Sequence, residues 1–194
     1  MISAPPSFFS IKEGIKSSYL FMIKKEKVDN LFTLNYQKFW ESCWIIFFIN
    51  ALVSALASYG IRSSFEIEVK ATLLPKLLLI TTIDITLFAI IVFYIFEKIN
   101  KLEFFYRFII PFNWIQAFQA IIMLTFTIFG LFLPPSIFIF FGFILVIWIT
   151  FSLWRIGKEE IGLTGWVAAG MIILSVLTEA GIGLFSRYLS NTLI

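Results

Sequence analysis

Five long apolar runs alternate with short charged stretches along the 194 residues of this chain. A helix needs about 20 mostly apolar residues to cross the hydrocarbon core of a bilayer, and the runs at 40–59, 77–96, 114–133, 136–154 and 162–186 meet that need. Between them lie IRSSFEIEVKATLLPK, EKINKLEFFYR, the Pro134-Pro135 turn and RIGKEEI, which read as the connections. Proline suits the first turn of a helix and disfavours helix in the residue before it. Pro111 is therefore expected to open the third span, with FFYRFII near the interface and Arg107 reaching lipid headgroups.

Ahead of the spans, PSFFSIKEGIKSSYLFMIKK sets Phe8, Ile11, Ile15, Tyr19 and Met22 at steps of three and four. That is a helical stripe. Lys12 and Lys16 flank it, and Lys24 and Lys25 follow. A helix of this kind lies on a membrane surface, where basic residues favour anionic lipid; the same pattern suits docking on the protein's own cytoplasmic loops. The predicted fold class is an all-α integral membrane protein, with five transmembrane helices preceded by an amphipathic interfacial N-terminal helix. Residues 1–39 form the basic N-terminal region and 40–194 the transmembrane domain.

Composition strengthens the membrane reading, since 60% hydrophobic residues and 14% charge are far from the roughly 25% charge of a soluble domain. The first 39 residues lack the apolar core and small-residue cleavage site of a secretory signal, so the N-terminus is expected to be retained. Basic residues collect on the cytoplasmic side of short loops. Here six precede the first span (Lys12, Lys16, Lys24, Lys25, Lys27, Lys38), three lie in the second loop (Lys98, Lys101, Arg107) and two in the fourth (Arg155, Lys158). Only Arg62, Lys70, Lys76 and Arg187 fall on the other side. The asymmetry predicts a cytoplasmic N-terminus and a C-terminus on the opposite side. Trp40, Trp114, Trp154 and Trp166 all fall at predicted cytoplasmic ends, where indole rings favour the interface.

The spans differ in how they can pack. Small residues let membrane helices approach closely, and they occur as Ala51, Ser54, Ala55 and Ser58 in the first span and as Gly165, Ala168, Ala169, Gly170, Ala180, Gly181 and Gly183 in the fifth. The fourth carries bulky apolar groups all round and is expected to be the most lipid-exposed. In the third, Asn113, Gln116 and Gln119 are expected to turn their amides toward other helices, as interhelical contacts or as part of a substrate site.

Several enzyme classes lack their residues. With no histidine, the common serine hydrolase triad and the zinc-protease motif are both impossible. The single cysteine, Cys43, can neither form an internal disulfide nor build a cysteine metal site. An intramembrane aspartyl protease needs two membrane aspartates, and Asp84 is the only one. No Walker-type or dinucleotide-type glycine loop occurs. No catalytic residue, cofactor, metal or nucleic-acid partner is expected.

The opening segment FTLNYQKFWESCW (Phe39, Trp40, Ser42) and the PFNW run (Asn113, Trp114), set within five spans after an amphipathic N-terminal region, resemble the small bacterial membrane proteins grouped loosely with the Yip-type five-span family. The DLYGP-like sequence of eukaryotic Yip proteins is absent. The resemblance implies a non-enzymatic protein of the bacterial inner membrane that acts through partners.

Two carboxyls inside the spans supply the alternative. Asp84, in LLLITTIDITLFAIIVFYIF, lies seven residues inside the second span from its non-cytoplasmic end, and Glu179 lies seven from the corresponding end of the fifth. Both sit about 10 Å below that end and could meet, with no lysine or arginine in any span to neutralise them. Insertion alone does not demand a function: a central aspartate costs about 2.5 to 3.5 kcal/mol, and the fourteen Leu, Ile, Val and Phe residues of the span offset it with about 4 to 8. One reading is a neutral carboxyl hydrogen-bonded to Thr81, Thr82 or a backbone carbonyl. The other is a water-accessible pair on an ion or proton path. The leading functional expectation is thus a scaffold or accessory subunit of a membrane complex, bound to lipid and to a membrane-protein partner or further copies of itself; the second is a small transporter or ion conductor using Asp84 and Glu179.

Overall fold

The computed structural model describes residues 4–24, 26–65, 73–130 and 134–192, with the backbone alone at 54–65, 73–77, 135 and 186–192. Among these residues the protein is helical without a strand. A short α1 (Phe8–Tyr19) runs into a π turn (Leu20–Lys24) and the single-turn α2 (Val28–Leu31). Five long helices follow: α3 (Tyr36–Phe65), α4 (Leu73–Lys98), α5 (Phe105–Gly130), α6 (Pro135–Arg155) and α7 (Gly165–Thr192). Four of them, α4 to α7, hold stretches long and apolar enough to cross a membrane.

Local chemistry fixes the ends. Asn100, at φ 56°, takes the left-handed position after α4, and Lys101 N–H closes the end by bonding Phe96 O at 2.8 Å. A second π turn (Ile156–Glu160) follows α6, and Gly162, at φ +71°, then reverses the chain. The expected fifth span began at 162; the helix begins three residues later because this turn occupies 161–164.

Pro111 corrects another expectation, because α5 begins six residues before it and continues through it. Proline forfeits the bond its N–H would make to Arg107 O, yet Phe108, Ile109, Ile110 and Phe112 around it are all buried. Their packing holds the helix together where local propensity would end it.

α5 is the axis of the fold, packed against α1, α3, α4 and α6. A run of rings joins it to α4: Phe88 stacks on Phe112 with centroids 4.8 Å apart, Phe108 on Phe112 at 5.3 Å, and Phe96 lies 5.7 Å from Phe108. The buried core gathers at one end of the bundle, drawing on Phe21, Val28, Phe96, Phe108, Ile115 and Ile156. Farther along, Phe129, Ile139 and Phe143 are exposed. The fourth apolar run, α6, does leave much of its surface outside the bundle, but α4 leaves more.

The N-terminal segment settles on that same end. Ser10, Gly14 and Ser18 form the buried face of α1, and any side chain at Gly14 would run into the indole of Trp114. Trp114 is therefore a buried docking ring and not an interfacial one, unlike Trp166, which is 90% exposed. The apolar stripe has a different fate from that expected. Ile11 and Ile15 pack partly against the core and Met22 is buried, but Phe8 and Tyr19 are exposed. A close approach of backbone to ring, which only small residues permit, decided which face of α1 turned inward.

Candidate functional site

Most polar side chains in the described part of the bundle work at this capped end. Glu41, 5% exposed near the start of α3, accepts hydrogen bonds from Ser10 Oγ of α1, from Lys38 Nζ (2.7 Å) and from Gln37 Nε2 (3.1 Å). Lys38 Nζ also donates to Ser10 Oγ at 2.8 Å. A buried carboxylate is costly unless it is paired and hydrogen-bonded. This one is both.

Further ties continue around the cap. Arg107 pairs with Asp29 beside the Phe104 ring, so it has a protein partner where a lipid headgroup was expected. Val28 N–H donates to Glu160 Oε2 at 3.1 Å, and Ser17 Oγ donates to Leu31 O at 2.7 Å. Arg155, 3% exposed, reaches Phe21 O. Lys101 donates to Ile161 O at 3.2 Å, joining the end of α4 to the turn before α7. These contacts gather the starts of α3 and α5 with the ends of α4 and α6 at one side of the molecule. Lys12, Lys16 and Lys24 remain exposed on the cap, and Lys25 lies outside the described residues.

The polar residues of α5 divide. Asn113 is buried and donates to Ser42 Oγ of α3 at 3.0 Å, with Cys43 Sγ 3.7 Å away. Gln116 and Gln119 are half-buried one and two turns on, without a hydrogen bond among the described residues. The small residues of α7 divide as well. Ala168 is buried so closely that a Cβ at Gly157 would come within 2.9 Å of its own, whereas Gly170, Gly181 and Gly183 have open space where a side chain would be. Of the small face expected on the first span, the side chains from Ser54 onward lie outside the described residues.

Asp84 is half-buried on α4 and Glu179 is exposed on α7, and these two helices pack against each other. The carboxylates are close enough to interact electrostatically. Neither has a hydrogen bond or ion pair among the described residues. Thr82 Oγ1 is occupied by Leu78 O at 2.8 Å, and Thr178 Oγ1 by Leu174 O at 2.8 Å. No group of three potential metal ligands occurs among the described residues.

The Ser10–Lys38–Glu41 group escaped the sequence reading. Lys38 and Glu41 are three apart on one helix, a spacing that allows a pair, but Ser10 lies 31 residues from Glu41 and no local pattern joins them.

Helices long and apolar enough to cross a bilayer, closed at one end by polar ties, define a helical membrane protein. No family model, curated protein or solved structure matches the chain.

Proposed function

We propose that this is a five-span, non-enzymatic protein of a bacterial inner membrane, with its N-terminus cytoplasmic and its C-terminus on the far side, acting as a scaffold or accessory subunit of a membrane complex. The observation that carries the partner role is the outward face of α7, where Trp166, Gly170, Ile173, Leu177, Gly181 and Leu184 are exposed in succession. At Gly170 and Gly181 a side chain would find open space among the described residues. Small residues among apolar ones suit close approach by another membrane helix, from a different protein or a second copy. The 30 residues of α3 span about 45 Å, which supports counting it as the fifth crossing. The orientation rests on the sequence, in which eleven of the fifteen lysines and arginines precede the first span or lie in the second and fourth loops. The short motifs resembling Yip-type proteins agree with a non-enzymatic protein acting through partners.

Affinity purification from native membranes, under conditions that keep lipid, tests this reading. A stoichiometric membrane partner or a defined oligomer, lost on replacing Gly170 and Gly181 by leucine, is the expected outcome; a monomer without partners argues against it. The second reading, a proton or ion conductor, is favoured by Asp84 and Glu179 standing on α4 and α7, which pack against each other. Dissipation of an imposed gradient by the reconstituted protein, abolished by Asp84→Asn, would replace the scaffold reading.

A further inference from the structure

A cleft of about 290 Å³ opens in the cap between α1 and residues 30–33, with Ile110 and Trp114 of α5 at its base. Asn30 and Thr33 give it hydrogen-bonding walls, the Ser10 and Ser17 hydroxyls already donating to Glu41 and to Leu31 O, and Glu13, Lys16 and Lys38 give it charge. At about 30 Å³ per water it holds roughly ten waters, and it lies just below the range of about 300 to 1,000 Å³ usual for drug-sized ligands. That volume suits a small polar group.

The sign of the charges narrows the choice. Lys38 is compensated by Glu41, whose carboxylate lies 2.7 Å from its ammonium. That leaves Lys16 and Glu13, three residues apart on α1 and without an ion pair among the described residues. A simple anion would meet little net positive charge here. A zwitterion meets both signs.

We propose that the cleft binds a phosphoethanolamine group, with its phosphate toward Lys16, Asn30 and Thr33 and its ammonium toward Glu13. Phosphates are met well by ammonium and hydroxyl donors, and a carboxylate at the rim selects the amine. The group could come from a membrane phospholipid or from the free compound. The Trp114 and Ile110 base and the position of the cap, at the ends of membrane-crossing helices, suit the lipid.

The test uses the full chain in nanodiscs of phosphatidylethanolamine or phosphatidylglycerol, with retained lipid read by native mass spectrometry, and titration of the detergent-solubilised protein with free phosphoethanolamine and inorganic phosphate. Selective retention of phosphatidylethanolamine without binding of the free compound assigns the site to lipid; saturable binding of the free compound assigns it to a soluble ligand. In either case Glu13→Gln and Lys16→Gln, both at exposed positions that leave the fold intact, should each weaken the interaction about tenfold, the loss of one charge-assisted hydrogen bond. Glu13→Gln should not weaken inorganic phosphate. Equal retention of both lipids with no binding of the free compound, or affinity unchanged in both variants, would overturn the proposal.

Discussion

Arg155, at the end of α6, donates from its guanidinium to the carbonyl of Phe21 at 3.1 Å and holds that residue's ring 4.7 Å from its centre. Its Nε donates to Glu159 at 2.9 Å. A single buried side chain thereby ties the π turn after α1 to the π turn after α6. Replacing it takes this donor away from the Phe21 carbonyl, so Arg155→Met should destabilise the protein by about 2 kcal/mol. Arg155→Lys should recover only part, because an ammonium lacks the planar fork. Thermal unfolding in detergent, together with tryptic cleavage at Lys24, checks this. Unchanged protease resistance would mean that the N-terminal segment is held without Arg155.

The contact of Gly14 with Trp114 makes a sharper steric prediction. A leucine at Gly14 must either displace the indole or lift α1, and overpacking of this kind costs about 1 to 3 kcal/mol. Limited proteolysis should release residues 1–24 of Gly14→Leu while the rest of the chain stays intact. Wild-type protection in that variant would place α1 elsewhere.

Lys38 and Glu41 should behave as a unit. Lys38→Met leaves a buried carboxylate without its cation, at a cost of about 3 kcal/mol. The double variant Lys38→Met, Glu41→Leu removes the stranded charge and should unfold at a higher temperature than Lys38→Met alone. Additive losses would show that the pair is not coupled.

Topology can be read by chemistry at single positions. In a Cys43→Ala background, cysteines at Lys12 and Lys158, which are both exposed on the cap, should be shielded from an impermeant thiol reagent in intact cells, whereas one at Ser63 should react. The reverse pattern would invert the orientation.

The relation of Asp84 to Glu179 can be measured directly. Cysteines at both positions, again without Cys43, should be joined within one chain by a short bifunctional reagent. Failure there, with success at neighbouring pairs of α4 and α7, would separate the carboxyls and remove the basis for ion conduction.

Asp84 and Glu179 were legible as candidates because a carboxyl is conspicuous in a run of isoleucine and phenylalanine, and helical rise alone puts them at matching depth. Asn113 was legible for the same reason. The cleft and the Glu41 group were not, since their walls come from residues 10–17, 30–41 and 110–114, separated by long stretches of chain.

The amino-acid sequence by itself determined the apolar runs that become α4 to α7, because burying a continuous apolar surface in lipid depends on composition and length and on little else. It also determined the bias of basic residues toward one set of loops. Only the tertiary structure decided which face of α1 is buried. Hydrophobic periodicity marks Phe8, Ile11, Ile15 and Tyr19, but contact with Trp114 required the smallest surface available, and Ser10, Gly14 and Ser18 supplied it, leaving Phe8 83% exposed. The same holds for Pro111, where a local preference to begin a helix yielded to the packing of Phe108, Ile109, Ile110 and Phe112 on either side. Apolar content is additive along the chain, whereas fit between surfaces exists only once distant segments have met.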